Sequence, residues 1–299
     1  MASLRDIRKH IKSIKSIKQI TYAMKMVAAA RIKKAQSSML SARPYAFEME
    51  KAINMLRCEM AEDDFKNSSS YKFFETSNPS GDIGLVLVTS DKGLCGAFNA
   101  SIIKKSISFI KSAEGKKIHI ITVGKKGRDF LRRIKNANLN FYYEIFGIFP
   151  KVNYTHSNLI AENLIKMYSE KKLSKVYFIY NEFKSMISQE LKEEVFLPLN
   201  LRFESAKKHT GRISDFYFEP SKEKLLEGLI ERYIKSQIYR MLLESQAAEL
   251  SARMNAMENA SKNAGELIDG LTLKMNKTRQ AMITTELNEI VSGAGALEE

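Results

Sequence analysis

The feature that most constrains this chain is a helical pattern without proline that runs from Ser221 towards the C terminus. At ~1.5 Å per residue, a helix from Ser221 to Ser292 would be about 100 Å long. A globular domain of this size is much narrower, so most of such a helix has no room to pack on its own domain. The pattern therefore predicts a helix that pairs with a second long helix or extends into a partner.

The first segment, residues 1–61, carries a second long helical pattern in which Pro44 predicts a bend or a new turn. Two long helices at opposite ends of one chain pair most simply as an antiparallel coiled coil, each burying the apolar seam of the other. The C-terminal helix is longer, so its tip is predicted to project alone. The N-terminal seam is predicted at Leu4, Ile7, Ile11, Ile14, Ile17, Ile20, Met24 and Val27. The C-terminal face is predicted at Leu226, Ile230, Tyr233, Ile234, Met241, Leu242, Ala248, Ala252, Met257, Leu267, Ile268, Leu271, Met275 and Met282.

Between the helical segments the hydrophobic period changes. Residues 62–80 are rich in serine and asparagine and are predicted to be a linker. Strands that alternate with helices predict an α/β domain with a mostly parallel sheet over 81–219, followed by the C-terminal helix at 220–299. The predicted strands are Ile83–Thr89, Ile118–Val123, Phe141–Phe146, Val176–Tyr180, Glu194–Leu197 and Phe216–Phe218, and the predicted helices are Ala97–Lys111, Lys125–Lys135 and Ser157–Lys171.

The positive charge is concentrated in the N-terminal helix. Residues 1–43 contain eleven Lys and Arg against one acid, whereas residues 221–299 contain ten against twelve acids. A basic stripe implies an acidic partner, which could be nucleic acid, anionic lipid or an acidic protein surface. Against nucleic acid, the basic helix has few aromatic residues for base stacking and carries a regular apolar seam on another face.

Several functional classes find little support in the sequence. The longest stretch without Asp, Glu, Lys or Arg is Gly93–Ile103, far short of the ~18 apolar residues of a membrane span. Early charges argue against a signal peptide, so an intracellular protein is expected. Cys58 and Cys95 indicate no disulfide framework, and the four histidines show no zinc spacing.

One short motif, Gly93–Gly96, lies between a predicted strand and a predicted helix, where phosphate-binding loops lie. The two glycine-rich nucleotide fingerprints are both absent, so a tight strand-to-helix turn is the competing interpretation. Cys95 could be a nucleophile, but no histidine stands near it in a supporting motif, and a packed cysteine is the alternative. Accordingly, no catalytic residue, cofactor site or metal site is predicted.

Three motifs resemble one family, the gamma subunits of F-type ATP synthases. Ile283–Ala294 resembles the C-terminal signature of that family, Ile7–Ala30 resembles its N-terminal helix, and Ser90–Asn99 resembles its central loop. Ala252–Met257 and Lys262–Glu266 match as well. The central loop departs mildly, because Lys92 stands where Arg is commoner and Ala97 where Gly is frequent. The resemblance covers the chain from end to end in the same order.

This resemblance implies an antiparallel coiled coil with a Rossmann-like domain at its base, acting as a central rotor shaft that performs no bond chemistry. The implied partners are a ring of alternating alpha and beta subunits, the epsilon subunit and the membrane ring of c subunits. Proton flow would turn the shaft, and the shaft would drive the catalytic sites of beta. No nucleic acid is implied, membrane association would come through the complex, and the expected location is the cytoplasmic face of a bacterial plasma membrane. A basic coiled-coil nucleic-acid-binding or scaffold protein remains the alternative.

The resemblance also implies contact residues. Those expected against alpha and beta are Met24, Lys25, Lys92, Cys95, Arg253, Arg279, Gln280, Thr284 and Glu286. The C-terminal tip, expected to act as an apolar bearing, contains Ile290, Val291, Gly293, Ala294 and Leu297.

Overall fold

The protein is described by a computed structural model that covers residues 3–75, 78–113, 115–134, 138–171, 173–201 and 218–298, with the backbone alone at 43 and 293–298. The chain forms two compact units. The first contains Met1–Ala29 and Arg253–Glu299, and the second contains Ala30–Ala252. Helix α1 (Leu4–Cys58) and helix α6 (Lys222–Glu298) each have one part in the first unit and the other part in the second. The predicted boundaries at 61, 80 and 219 remain a prediction.

In the first unit, the two helices run antiparallel, as the sequence predicted. The Lys25 ammonium lies 2.6 Å from the carboxylate of Glu258, and Lys18 lies against Gly265 further towards the N terminus of α1. Residue numbers therefore rise along one helix as they fall along the other. The buried side chains of α1 here include Ile7, Ile11, Ile14 and Ala28.

The predicted N-terminal seam is correct as far as Ile14 and wrong at three of the four predicted positions beyond it. Ile17, Ile20 and Val27 are at least half exposed, whereas Met24 is half-buried. The buried positions Ile7, Ile11 and Ile14 set a spacing of four and three, which next falls on polar residues. The three exposed residues are out of that phase, so they face away from the seam. On α6, the predicted core residues Leu267 and Met282 are likewise exposed.

In the second unit, α1 continues through Pro44 without interruption to Cys58. The predicted linker region contains a short helix, α2 (Glu62–Asn67), and a single 3-10 turn (Tyr71–Phe73). Helix α6 begins after Ser221, whose hydroxyl oxygen accepts a hydrogen bond from the Lys224 amide, as expected for an N-cap.

The α/β domain is a five-stranded sheet in the order β3-β2-β1-β4-β5. The first four strands are parallel, and β5 is antiparallel to β4, so the prediction of a mostly parallel sheet is confirmed. The strands are β1 (Ile83–Val88), β2 (Ile118–Val123), β3 (Leu139–Ile145), β4 (Lys175–Phe183) and β5 (Gln189–Leu197). The helices are α3 (Phe98–Ser112), α4 (Lys125–Leu131) and α5 (Tyr154–Glu170). Every residue of β1 and β2 is buried, which explains why apolar residues predominate in both strands.

Most predicted elements differ from the observed ones by up to three residues at an end, and two differ by more. The helix predicted to reach Lys135 ends at Leu131, and the strand predicted at Glu194 begins five residues earlier, at Gln189. Because the exposed side of β5 carries polar residues, the first half of this strand does not form the apolar run on which the prediction depended. The strand candidate Phe216–Phe218 lies outside the described residues except for Phe218, which has no regular structure.

A largely buried ion pair within α6 lies near two residues of the sheet, Tyr180 and Glu194. The Arg240 guanidinium lies 3.0 Å from the carboxylate of Glu244, which is 1% exposed. Burial alone would lower the pKa of Arg240, but the neighbouring groups of Glu244, Tyr180 and Glu194 raise it above its ordinary value. The guanidinium therefore stays charged and balances carboxylates that water reaches poorly.

We expect Arg240→Ala to lower the free energy of unfolding by about 2–3 kcal/mol. A fully buried pair that loses one partner costs roughly 3–5 kcal/mol, and the Arg240 side chain keeps 22% of its exposure. Urea unfolding of the full chain measures the change. Replacing the pair together, with Arg240→Met and Glu244→Leu, should recover most of the loss, and a double variant as unstable as Arg240→Ala would contradict this account.

Candidate functional site

The loop from Thr89 to Ala97, called here the central loop, connects the buried strand β1 to α3. Its first residues cap the neighbouring helix α4, because three consecutive amides of that helix donate to them. Lys125 donates to the Asp91 carboxylate at 3.1 Å, Lys126 to the Ser90 carbonyl at 3.1 Å, and Gly127 to the Thr89 hydroxyl at 2.9 Å. The amide groups that would cradle a phosphate at this helix start are thus already bonded within the chain.

A second set of hydrogen bonds closes the loop on α3. The Asn99 side-chain oxygen accepts from the Ser90 amide at 3.0 Å, and its amide nitrogen donates to the Cys95 sulfur at 3.1 Å. The other carboxylate oxygen of Asp91 accepts a hydrogen bond from the Phe149 amide at 3.3 Å. This bond joins the central loop to the connection between β3 and α5. Asp91 and Asn99 therefore hold the central loop from two sides.

Cys95 is 2% exposed, with its sulfur directed at these polar groups. A buried thiol cannot meet a substrate, which favours the packed cysteine over the nucleophile. The Cys95 side chain also does not reach the surface of the isolated chain, and its expected role as a contact residue stays a prediction. Cys58 is exposed, and neither cysteine is part of a disulfide.

The exposed part of the central loop is formed by Lys92 and Leu94. Leu94 is 65% exposed and has a φ of 63°. Lys126 lies beside the loop, since a side chain on Gly93 would meet its Cε at 3.8 Å. The loop thus presents an apolar residue among cations.

The expected contact residues of the first unit lie on both helices. Met24 and Lys25 are half-buried on α1, and Arg253 is half-buried on α6. The ion pair of Lys25 with Glu258 lies at the surface, where such pairs contribute little to stability. An acidic group of a partner could therefore replace Glu258 beside Lys25 at a small cost in free energy.

The last part of α6 is solvent-exposed on every side. All side chains from Arg279 to Ser292 are exposed, including Gln280 and Glu286. The Thr284 hydroxyl donates to the Gln280 carbonyl of its own helix at 2.9 Å. Large apolar side chains stand among these polar ones, with Ile290 at 67% and Val291 at 70% exposure. Gly293, Ala294 and Leu297 belong to the same helix, but their side chains lie outside the described part.

Two further findings concern the described residues. They contain no group of three His, Cys, Asp or Glu side chains placed to hold a metal ion. In the same part of the chain, no helix combines the length and the hydropathy that crossing a membrane requires.

Comparison with known proteins decides the family. The family described as ATP synthase matches residues 3–297. The ATP synthase gamma chain of Elusimicrobium minutum is 46% identical over 305 residues, covering 100% of both chains. That of Desulfitobacterium hafniense is 39% identical and also covers 100% of both. The chain belongs to the ATP synthase gamma chain family. Membership in this family leaves the nucleic-acid alternative without support.

Solved structures agree with this family assignment. The central stalk and c-ring structure of the Tetrahymena thermophila mitochondrial ATP synthase contains a chain that is 32% identical, with a TM-score of 0.60. The match covers 81% of this chain and 99% of that one. A chain of the Euglena gracilis mitochondrial ATP synthase matches with a TM-score of 0.66 over 98% of this chain and 94% of its own. At 20% identity, the Euglena match speaks for the fold alone.

The structure adds residues that the sequence did not single out. Asp91 and Asn99 organise the central loop, Leu94 forms its exposed tip, and Glu258 is the partner of Lys25. Asp91 directly follows the end of β1, and Asn99 lies in the first turn of α3. The sequence signal that could have indicated Asp91 and Asn99 is a polar residue at each end of a short strand-to-helix connection.

Proposed function

We propose that the chain is the central rotor subunit of an F-type ATP synthase and carries torque without catalysing a reaction itself. Its partners would be a ring of alpha and beta subunits around the exposed end of α6, together with epsilon and the c-ring at the other end of the shaft. Proton flow through the membrane sector would turn the chain, and the chain would change the catalytic sites of beta in sequence.

The observation that carries this proposal is the bare helical tip from Arg279 onwards. In proteins most helical stability comes from packing of an apolar face, and the side chains from Arg279 to Ser292 are all exposed. This tip also exposes large apolar side chains along its length, including Ile290 and Val291. A helix of this kind is stabilised when a surrounding partner covers it, and a sleeve of alpha and beta subunits would do so.

Charge supports the same proposal. Most lysines along the first helix are exposed, and Lys92 and Lys126 add positive charge at the central loop. An acidic inner surface on beta would complement these groups and set the register of the rotor. The proposed contacts are Met24, Lys25, Lys92, Cys95, Arg253, Arg279, Gln280, Thr284 and Glu286, with the bearing at Ile290, Val291, Gly293, Ala294 and Leu297.

Reconstitution tests the proposal directly. Alpha and beta subunits of a close relative are mixed with this chain, and ATP hydrolysis is measured with and without it. We expect a stable assembly whose ATP hydrolysis depends on the chain, together with rotation of a probe attached to the α/β domain. An assembly that hydrolyses ATP equally well without the chain would refute the rotor role.

We expect the isolated chain to bind ATP very weakly. Both nucleotide fingerprints are absent, and the amides at the start of α4 already donate to Thr89, Ser90 and Asp91. Isothermal titration calorimetry with ATP and magnesium measures the affinity, with the assembled alpha and beta subunits as the positive control. A dissociation constant of about 1 μM, equivalent to roughly −8 kcal/mol, would contradict a purely mechanical role.

The location follows from the same assembly. We propose that the chain lies at the cytoplasmic face of a bacterial plasma membrane and is held there by the complex. Membrane vesicles stripped of the other subunits should then fail to retain it, and retention by bare vesicles would show a membrane affinity of its own.

A further inference from the structure

A cavity of about 550 Å³ lies where α1, α5 and α6 meet in the second unit. Small-molecule sites in proteins have volumes of ~300–1,000 Å³. Helix α6 contributes Arg232, Lys235 and Tyr239, whose spacing of three and four places them on one face of that helix. Tyr45 of α1 and Tyr154 of α5 form further parts of the wall, and none of the described residues that line the cavity is acidic.

The three tyrosines make this cavity aromatic. The rings of Tyr154 and Tyr239 meet edge to face with their centroids 5.5 Å apart. Tyr154 is 40% exposed and Tyr45 is 52% exposed, so much of their ring surface has no neighbour within the chain. A flat ring placed against them would gain edge-to-face or offset contacts and would remove this surface from water. The wall therefore favours a ligand with an aromatic ring.

The charge of the cavity indicates a ligand with one negative charge. Lys235 lies 3.7 Å from the carboxylate of Glu231, one turn earlier on α6, which offsets its charge. Arg232 is exposed and forms no ion pair with any residue that the structure describes. A guanidinium binds a carboxylate with two parallel hydrogen bonds, so a carboxylate suits Arg232. ATP carries several negative charges and would match this site poorly.

The Tyr154 hydroxyl is placed to assist Arg232. Burial raises the pKa of Tyr154, the neighbouring Tyr45 raises it further, and Arg232 acts in the opposite direction. The Tyr154 hydroxyl therefore stays protonated at neutral pH and lies near both Tyr45 and Arg232. A protonated phenol donates a hydrogen bond, so Tyr154 and Arg232 present donors to the same space.

We propose that this cavity is a binding site for a small aromatic carboxylate. The ligand ring packs against the three tyrosines, and its carboxylate accepts hydrogen bonds from the Arg232 guanidinium and the Tyr154 hydroxyl. A ligand bound there touches α1, α5 and α6 at once, so it joins the α/β domain to both long helices. The site needs no partner subunit and goes beyond the proposed rotor function.

Three probe ligands test the two requirements on the isolated full chain. The probe 2-naphthoate has the ring and the charge, 2-naphthamide has the same ring without the charge, and cyclohexanecarboxylate has the charge without an aromatic ring. Isothermal titration calorimetry measures each affinity. We expect 2-naphthoate to bind with a dissociation constant of about 100 μM, as its size allows. The other two probes should bind at least about fivefold more weakly.

Three variants of the chain locate the binding. Arg232→Gln should weaken the binding of 2-naphthoate about tenfold or more, because the charge-assisted hydrogen bonds are lost. Tyr154→Leu should weaken it about fivefold, since a ring and a donor are lost together. Lys224→Gln is the matched control, because it removes an exposed cation of α6 that does not line the cavity. This control should bind within about twofold of the parent.

Equal affinities for 2-naphthoate and 2-naphthamide would overturn the proposal, as would a loss in Lys224→Gln as large as in Arg232→Gln. Absence of 2-naphthoate binding at about 1 mM would overturn it as well. Circular dichroism checks the fold of each variant, and the three probes on the parent chain decide the matter even where a variant fails to fold. In a second readout, 2-naphthoate should raise the midpoint of thermal unfolding of the parent and of Lys224→Gln but not of Arg232→Gln.

Discussion

Gly124→Ala is expected to lower the free energy of unfolding of the α/β domain by about 4 kcal/mol or more, a loss reached by few single substitutions. Gly124 has a φ of 90° and lies at the point where β2 leads into α4. A Cβ atom there would lie 2.0 Å from the backbone oxygen of Thr89 and 2.7 Å from its carbonyl carbon. Backbone atoms cannot move aside as a flexible side chain can, so the strands themselves must separate.

The damage should spread to the central loop. Thr89 is the first residue of that loop, and its hydroxyl accepts the hydrogen bond from the Gly127 amide. Its own amide donates to the Val123 carbonyl at 2.8 Å, next to Gly124. Displacing Thr89 therefore releases the start of α4 together with the part of the loop that presents Lys92 and Leu94.

Two other glycines provide matched controls. Gly115 and Gly147 have similar φ values of 87° and 80°, but a Cβ atom at either would meet nothing within 4 Å. Alanine at these positions carries the conformational cost alone, about 1–2 kcal/mol. The difference between Gly124→Ala and the two controls thus isolates the steric clash.

Hydrogen exchange is the best measurement, because the long helices dominate the signal of the whole chain in circular dichroism. The amides of Thr89 and Gly124 donate to the Val123 and Ile145 carbonyls and should be strongly protected in the parent. That protection should be largely lost in Gly124→Ala and kept in Gly147→Ala. Equal protection in the two variants would show that β1 and β2 tolerate the extra atom.

The α/β domain was largely predictable because its strands are buried on both faces. A parallel strand covered on both sides is rich in apolar residues on both faces, and β1 and β2 have this form, although β2 also buries His119 and Thr122. Strand β5 is antiparallel to β4 and carries several exposed polar residues, so its first half gave no such run. The short helix α2 lies in a polar segment whose composition resembles a linker, and Phe65 is its buried anchor.

The phase of the N-terminal seam was not predictable from apolar residues alone. Ile14, Ile17 and Ile20 follow one another at intervals of three, which rotates them gradually around the helix. The structure instead keeps Lys18 and Lys25 close to α6. Gly265 leaves room for the Lys18 side chain, and Glu258 forms an ion pair with Lys25. A lysine can cover apolar surface with its stem while its ammonium stays in water. The exposed isoleucines are consequently available to a partner.

Most of the proposed contact surface was accessible from the sequence only through family resemblance. Arg279, Thr284 and Glu286 look like any other exposed helical residues, and their exposure alone names no partner. The hydrogen bond from the Phe149 amide to the Asp91 carboxylate joins positions 58 residues apart, so spacing could not reveal it. Leu94 could not be recognised either, because its conformation is a property of the folded loop.

Removal of the C terminus is expected to have graded effects on the assembled enzyme. Deleting residues 290–299 removes the exposed apolar tip, including Ile290 and Val291. Apolar contacts are not directional, and each is individually weak, so torque should persist while the shaft remains supported further down. We expect ATP-driven proton pumping to continue at about a third or more of the parental rate, a change of less than roughly 0.7 kcal/mol in the limiting barrier.

Deleting residues 279–299 should be far more severe. It removes Arg279, Gln280, Thr284 and Glu286 together, and it shortens the helix by about 1.5 Å for each residue lost. The loss of these polar contacts, whose geometry is directional, should reduce pumping by roughly tenfold or more, equivalent to about 1.4 kcal/mol. Pumping is followed in membrane vesicles by a fluorescent pH indicator, and the amount of assembled complex is determined in the same vesicles.

A full-length variant distinguishes lost contacts from lost length. Ile290→Ser combined with Val291→Ser keeps α6 intact but removes the apolar surface of the tip, so it should behave like the shorter truncation. If pumping disappeared in this variant while the complex still assembled, the tip would be a specific apolar contact and not a bearing. If instead the deletion of 279–299 pumped as well as the parent, torque would have to pass entirely through the first helix and the central loop. The exposed end of α6 would then carry no load, and the observation on which the rotor proposal rests would need another explanation.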